Sequence, residues 1–112
     1  MNIAILGFGT VGYGVYELAQ KSDKLNVSYV LDLKTHDDIN AKSVTDYNII
    51  LNDDTVDTVV ELIGGNEPAY TYIRRALCAK KNVVTANKLV ICEHYDELTA
   101  LARENGVSMR CT

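Results

Sequence analysis

The chain has 112 residues, of which 47% are hydrophobic and 23% charged, and its formal net charge is −4. This length allows one hydrophobic core, so we expect a single domain over residues 1–112. Phosphate contacts require clustered Lys and Arg, so a weakly acidic chain with scattered basic residues is not expected to bind nucleic acid. No stretch approaches the roughly 18 apolar residues of a membrane span, and the N-terminus lacks the features of a secretory signal. We therefore expect a cytoplasmic protein that makes no membrane contact.

The three cysteines, Cys78, Cys92 and Cys111, are widely spaced and include no C-x-x-C pair. Neither His36 nor His94 completes a set of four metal ligands with them. We expect reduced cysteines in or near the core and no metal site.

In the first half of the chain, short apolar runs alternate with stretches of helical period. Asn2–Leu6 is predicted to be a buried strand, and a helix follows over Thr10–Lys21. The spacing of its apolar residues predicts that its buried face consists of Val11, Val15, Leu18 and Ala19. The next predicted elements are a strand at Asn26–Leu31, a polar loop at Lys34–Asn40, a short strand at Lys42–Val44, and a short helix capped by Asp46 that ends at Leu51.

The second half continues this alternation. A strand is predicted over Thr58–Ile63, and Asn66 or Glu67 is expected to cap the next helix, with Pro68 in its first turn. The buried face of that helix is predicted to be Ala69, Ile73, Ala76 and Leu77. A strand at Asn82–Thr85, a helix from about Glu93 to Asn105 with Gly106 at its end, and a strand at Val107–Cys111 complete the series. Alternating strands and helices predict a doubly wound, mainly parallel α/β sheet with helices on both faces.

Residues 7–12, Gly-Phe-Gly-Thr-Val-Gly, form a G-x-G-x-x-G motif between the first predicted strand and the first predicted helix. In this context the motif is typical of the phosphate loop of a Rossmann-type dinucleotide-binding domain. Gly7 makes the tight turn, Gly9 lets the backbone approach a pyrophosphate, and Gly12 allows the helix to pack closely on the strand. The N–H groups and dipole of the helix N-terminus then attract the phosphates. The alternative is a simple strand–helix turn.

Asp32 follows the second predicted strand, 20 residues after Gly12, where an acidic residue that binds the adenosine ribose is expected. A carboxylate there repels a 2′-phosphate and favours NAD, whereas Lys34 and His36 are close enough in sequence to pair with that phosphate. These residues leave NAD and NADP open, and they leave open that Asp32 is a solvated loop acid.

The loop Ile63–Gly65 faces the phosphate loop if the strand before it lies beside the first strand. Its glycines then permit close approach of a ribose and nicotinamide, and a plain glycine turn is the alternative. Lys88, after the next strand, is placed to lose solvation and transfer a proton, although an Asn87 cap followed by an exposed lysine is the simpler interpretation. Glu61 is either a partly buried acid near this crevice or the polar face of a strand end.

Three segments resemble homoserine dehydrogenase: G-F-G-T-V-G-Y-G-V from Gly7, V-V-E-L-I-G-G-N-E-P-A from Val59, and V-V-T-A-N-K-L from Val83. The resemblance extends from Ile3 to about Val107. The second and third segments are much more specific to the family than the glycine motif is.

The resemblance implies an oxidoreductase that reduces L-aspartate 4-semialdehyde to L-homoserine by hydride transfer from NADPH or NADH, on the route to threonine, methionine and isoleucine. Together with the motifs, it gives as cofactor-binding residues Gly7, Phe8, Gly9, Thr10, Val11, Gly12, Asp32, Ile63, Gly64, Gly65, Asn87 and Lys88. Lys88 is also the implied catalytic residue, because a cation between cofactor and substrate polarises the aldehyde oxygen.

Two departures from the family pattern qualify what the resemblance implies. Leu31 stands where many members carry an arginine, so a strong preference for NADP is not expected. Members continue beyond the position of Thr112 into a substrate-binding and dimerisation domain. We therefore expect this chain to bind cofactor with little or no turnover by itself, and the complete protein is compatible with a homo-oligomer.

Two other functions stay open at this point. One is a different NAD(P)-dependent dehydrogenase that acts on another small substrate, such as a sugar or an amino acid. The sugar dehydrogenases of similar topology have Glu-Lys-Pro where this chain has the segment Ala86–Leu89, which argues against them. The other is a stand-alone module that senses a nucleotide.

Overall fold

The computed structural model describes all 112 residues. The strands are β1 (Asn2–Leu6), β2 (Asn26–Leu31), β3 (Lys42–Val44), β4 (Thr58–Glu61), β5 (Asn82–Thr85) and β6 (Met109–Cys111). The helices are α1 (Thr10–Gln20), α2 (Tyr47–Leu51), α3 (Ala69–Cys78) and α4 (Lys88–Glu104). The strands form one sheet in the order β3-β2-β1-β4-β5-β6, and every neighbouring pair is parallel. This is the doubly wound α/β architecture that the sequence predicts.

Two hydrophobic cores lie on opposite faces of the sheet. Along β1 the side chains alternate, so that Ala4 and Leu6 belong to the larger core, whereas Ile3 and Ile5 belong to the smaller one. The larger core is closed by α2, α3 and α4, and α1 packs over β1 and β2 on the other face. The predicted face of α3 is confirmed, because all four of its predicted residues are fully buried.

Most predicted elements are confirmed, and their ends account for the differences. β4 ends at Glu61 rather than Ile63, and β6 begins at Met109 rather than Val107. Pro68 is the cap residue of α3, so neither Asn66 nor Glu67 occupies that position, and Pro68 precedes the first turn rather than lying in it. The peptide bond between Glu67 and Pro68 is cis. None of the four helices has the length and apolar character needed to span a bilayer.

α4 begins at Lys88, well before the predicted start at Glu93. The side chain of Asn87 caps it by accepting a hydrogen bond from the N–H of Val90 at 3.2 Å. The backbone leaves helical geometry at His94, with φ −129° and ψ 18°. This interruption breaks the apolar periodicity of the helix, which is why the pattern located only its second part.

The predicted buried face of α1 is confirmed for Ala19, which is buried, and Val15 is half-buried against the smaller core. It is wrong for Val11 and Leu18, which are 63% and 69% exposed, whereas Gly12 and Tyr16 are buried. The reason is steric, since glycine at position 12 lets that side of the helix come closest to the sheet.

The helix α1 does not cover the whole face of the sheet on which it packs. Val60 on β4 and Val84 on β5 are only half-buried, and with Val11 and Val15 they line an apolar cavity of about 390 Å³. The apolar side of α1 that the sequence assigns to the core therefore borders this uncovered face.

The expected burial of the cysteines is also wrong. Cys78, Cys92 and Cys111 are free thiols, and all three are exposed. Cys78 is the last residue of α3, Cys92 lies on the exposed side of α4, and Cys111 is the last residue of the edge strand β6. None of the three positions faces the core.

The rim of the sheet at the strands' amino ends is held by polar contacts. Lys81 is buried, and its Nζ donates to the carbonyl oxygens of Asp53 and Val56 at 2.8 Å each. Burial lowers the pKa of Lys81, and the nearby carboxylates partly offset that effect. Asp53 accepts hydrogen bonds from the side chain and N–H of Thr55 and from the Tyr29 hydroxyl, which lower its pKa to about 2.

Asp53→Asn should therefore reduce stability in a pH-dependent way. A carboxyl whose pKa falls on folding stabilises the folded state above its ordinary pKa, and this contribution is lost as the pH falls through the folded-state value. In urea denaturation, the difference between wild type and Asp53→Asn should shrink as the pH drops from about 5 towards about 2.5. Asp23→Asn, at an exposed carboxylate, is the control. A difference that stays constant with pH would contradict the prediction.

Candidate functional site

A crevice of about 390 Å³ opens at the carboxyl ends of the central strands. The turn after β1 contributes Gly7, Phe8 and Gly9 to it, and the segment after β4 contributes Leu62 and Ile63. The chain order reverses between these two adjacent strands, and ligands of doubly wound sheets bind at such a point.

Glycines shape the wall that follows β1. Gly7 has φ +91°, and a Cβ there would lie 3.0 Å from the backbone nitrogen of Ile63. A Cβ on Gly12 would lie 2.2 Å from the carbonyl oxygen of Gly7, a distance that no real side chain tolerates. A Cβ on Gly9 would meet nothing within 4 Å. Gly7 and Gly12 are therefore needed by the fold, whereas the absence of a side chain at Gly9 leaves open space.

At this rim α3 has no side-chain cap from Pro68, but the Glu67 carboxylate accepts the N–H of Thr71 in its first turn at 2.9 Å. No side chain does the same for the N-terminus of α1. Gly9 occupies the cap position and has no side chain to accept a hydrogen bond. By contrast, the side chains of Asp46 and Asn87 cap α2 and α4. The first N–H groups of α1 are therefore available to an anion, which the helix dipole also attracts.

Asp32 lies at the end of β2 and lines the crevice, as the sequence predicts. Its Oδ1 accepts the N–H of Leu33 at 2.9 Å, and its Oδ2 lies 2.8 Å from Nε2 of His36. The His36 ring meets Phe8 edge-on, with ring centroids 4.8 Å apart. Lys34, two residues after Asp32 in the same loop, is exposed.

Glu61 is fully buried at the end of β4, and so neither sequence-based interpretation describes it completely. Its Oε2 accepts the N–H groups of Ile63 at 2.9 Å and Gly64 at 3.0 Å. Its Oε1 accepts the hydroxyl of Thr85, which lies opposite on β5. The carboxylate therefore joins the loop after β4 to the end of β5.

Asn87 extends this network to the start of α4. Its N–H donates to the Thr85 hydroxyl oxygen at 2.9 Å, and its side-chain amide donates to the carbonyl oxygen of Gly65. Lys88 follows as the first residue of α4; it is exposed and forms no ion pair within the chain. The position of Lys88 is thus fixed relative to the glycine loop through Asn87.

The crevice brings together five of the predicted cofactor-binding residues: Gly7, Phe8, Gly9, Asp32 and Ile63. The others lie outside its lining: Thr10, Val11, Gly12, Gly64, Gly65, Asn87 and Lys88. Gly12 is buried behind the turn, and Val11 borders the apolar cavity instead.

Six lining residues were not predicted: Leu31, Leu33, Thr45, Leu62, Pro68 and Tyr72. Two of them could have been anticipated, because Thr45 follows β3 and Leu33 follows Asp32 at the same edge of the sheet. Tyr72 comes from within α3, where the helical pattern gives no indication of a site.

Comparison with known proteins identifies relatives over nearly the whole chain. Residues 7–112 match the family described as homoserine dehydrogenase, NAD binding domain. The homoserine dehydrogenase of Lactococcus lactis subsp. lactis is 42% identical over 97% of this chain, and that of Bacillus subtilis is 37% identical over 95%. The chain spans 29% and 28% of the length of these two proteins.

A solved structure shows the same similarity. The crystal structure of S. aureus homoserine dehydrogenase at pH 7.0 superposes with a TM-score of 0.87 at 37% identity. The match covers 99% of this chain and 32% of that one. The fold and the sequence therefore point to the same family.

Gly12→Ala should destabilise the domain, because its Cβ would overlap the carbonyl oxygen of Gly7. Overpacking of this kind costs about 1–3 kcal/mol in the free energy of unfolding. Gly14→Ala is the matched control on the same helix, where a Cβ meets nothing within 4 Å, and it should stabilise by up to about 1 kcal/mol. Urea denaturation of both variants measures the difference. Equal stability of the two would contradict the assigned role of Gly12.

Proposed function

Since the chain belongs to the homoserine dehydrogenase family, as its NAD-binding domain, we propose that the crevice at the ends of β1, β2 and β4 holds NAD or NADP. The observation that carries this proposal is the N-terminus of α1, which has no capping side chain and faces open space at Gly9. A dinucleotide's pyrophosphate supplies the anion that such a helix start favours.

In this proposal the backbone of the Gly7–Gly12 loop, including Phe8, Thr10 and Val11, surrounds the pyrophosphate. Gly9 provides the room, and the N–H groups of the first turn of α1 donate to the phosphate oxygens. Asp32 accepts a hydrogen bond from the adenosine ribose, because it lies at the end of β2 with a partly exposed side chain. The nicotinamide half then extends across β1 towards the loop Ile63–Gly65 after β4.

Lys88 is the residue we propose for proton transfer. When bound, the nicotinamide dinucleotide supplies the hydride, which goes to the aldehyde carbon of L-aspartate 4-semialdehyde. The ammonium of Lys88 polarises the aldehyde oxygen and donates the proton that turns it into the hydroxyl of L-homoserine. The support for this role is that Lys88 is exposed, has no ion-pair partner, and follows Asn87, whose side chain contacts the glycine loop.

The complete protein, in this proposal, has a further domain that binds the substrate and forms the contacts of a dimer. The chain spans less than a third of its relatives' length, which supports this. We also propose a cytoplasmic location, because amino-acid biosynthesis and three exposed free thiols both fit a reducing compartment.

Gly9→Val should abolish cofactor binding while leaving the fold intact. A side chain at this position enters open space rather than protein, so it occupies the volume proposed for the pyrophosphate. In fluorescence titrations with NADH and NADPH in parallel, the affinity for both should fall by at least about a hundredfold. Gly14→Val, another glycine with free space around it, is the matched control and should bind as wild type does. Unchanged affinity of Gly9→Val would refute the proposed phosphate site.

Lys88→Ala should lower the turnover of the complete enzyme more than its affinity for NADPH or NADH. Loss of a general acid typically reduces kcat by about 10²–10⁴-fold, whereas binding of the cofactor depends mainly on the phosphate loop. Lys24→Ala, an exposed lysine before β2 at the opposite rim, is the control. If turnover and cofactor affinity fall equally, Lys88 only positions the cofactor.

A further inference from the structure

The wall of the crevice after β4 differs from the wall after β1 in how its conformation is held. Gly64 has φ +82° and Gly65 has φ +70°, and neither would bring a Cβ within 4 Å of another group. No packing therefore restrains these glycines, and glycine has more backbone freedom to lose than any other residue. Something other than packing must hold the loop in one conformation.

The restraint comes from the buried carboxylate of Glu61. It accepts two N–H groups of the loop with one oxygen and the Thr85 hydroxyl with the other. No lysine, arginine or histidine forms an ion pair with it. A buried acid is costly to desolvate, and an apolar side chain of similar size usually serves stability as well or better. Stability alone therefore does not account for an acid at this position.

We propose that Glu61 is a positioning residue, which holds the Ile63–Gly65 loop and the Asn87–Lys88 turn in one arrangement that receives the nicotinamide half of the cofactor. The hydrogen-bond chain runs from the loop through Glu61 and Thr85 to Asn87, and the Asn87 side chain returns to the Gly65 carbonyl oxygen. These hydrogen bonds form a closed ring, which fixes the Ile63–Gly65 loop and the Asn87–Lys88 turn relative to each other. The inference rests on the proposed function, because it assumes that a dinucleotide lies across the crevice.

The sheet order determines which half of the cofactor is affected. Asp32 ends β2 on one side of β1, and Glu61 ends β4 on the other side. A dinucleotide with its adenosine at β2 and its pyrophosphate at β1 must place its nicotinamide half over β4 and β5. Glu61 should therefore influence the binding of the nicotinamide half and not that of adenosine diphosphate.

The test compares the binding of NADH with that of ADP, which lacks the nicotinamide and its ribose. Glu61→Met keeps an unbranched side chain of similar length but removes all three acceptor contacts. Its affinity for NADH should fall about tenfold through loss of preorganisation, while its affinity for ADP stays within about twofold of wild type. Amide hydrogen exchange at Ile63 and Gly64 should become faster in the same variant, because their N–H groups lose their acceptor.

Three further variants keep the test decisive. Glu61→Gln retains an oxygen for the two loop N–H groups, so it should recover most of the NADH affinity. Thr85→Val keeps the shape of the side chain but removes the hydroxyl that joins Glu61 to Asn87, so it should also lose NADH affinity selectively, and it replaces Glu61→Met if that variant does not fold. Thr58→Val is the matched control, since it removes a buried hydroxyl at the other end of β4, whose only side-chain partner is Asp57. It should leave the NADH-to-ADP affinity ratio unchanged.

The outcomes separate this proposal from the one on which it rests. An equal loss of NADH and ADP affinity in Glu61→Met or the variant that replaces it, or no loss of either, means that Glu61 serves only the fold and overturns the inference. Wild-type protein that binds neither NADH nor ADP overturns the proposed function itself, and the inference with it. A selective loss of NADH affinity, recovered by Glu61→Gln, supports both.

Discussion

The arrangement of this domain depends on the contact between the backbone of Gly12 and the carbonyl oxygen of Gly7. A Cβ at Gly12 would lie 2.2 Å from that oxygen, so only glycine allows α1 to lie directly on the turn that leaves β1. This contact brings the uncapped start of the helix to the end of the central strand, where the crevice opens. It also decides the orientation of the helix, because the side that carries Gly12 must face the sheet. Tyr16 and Ala19 are buried for that reason, and Val11 is not.

The two walls of the crevice achieve a fixed shape by different physical means. After β1, glycines are required by contacts with neighbouring backbone, so steric exclusion defines the turn, together with a 2.8 Å hydrogen bond from the Gly7 N–H to the Leu31 carbonyl oxygen. After β4, the glycines have free space, and hydrogen bonds to the buried Glu61 carboxylate define the loop instead. Steric exclusion leaves little freedom, whereas hydrogen bonds to one group can be broken together. The first wall is therefore rigid, and the second depends on two side chains, the carboxylate of Glu61 and the amide of Asn87.

The sequence predicts correctly those elements whose hydrophobic pattern fits only one type of secondary structure and one buried face. The strand Asn26–Leu31 and the buried face of α3 are confirmed because their apolar residues are set off clearly from polar neighbours. Periodicity alone does not determine the buried face of α1, because Val11 and Leu18 are as apolar as the residues that are buried, and the Gly12 contact decides between the two sides. The periodicity predicts the start of α4 too late because the irregular backbone at His94 divides its pattern, whereas the alternative of an Asn87 cap followed by an exposed Lys88 is confirmed. For the candidate site, the motifs identified the turn after β1 and Asp32, which line the crevice, but the burial of Glu61 depends on β5 lying beside β4, which only the fold reveals.

In the proposed site, the loop after β2 carries groups that suit two related cofactors. Asp32 already has one contact to each carboxylate oxygen, from the Leu33 N–H and from His36. Each oxygen offers two lone-pair directions, so a ribose hydroxyl can donate to Asp32 without breaking either contact. The contact with Asp32 orients the His36 ring, which meets Phe8 edge-on, and Lys34 in the same loop is exposed. A 2′-phosphate at this place would therefore meet nitrogen donors as well as the carboxylate. An acceptor for a hydroxyl and donors for a phosphate within one loop give a physical basis for the use of either NAD or NADP.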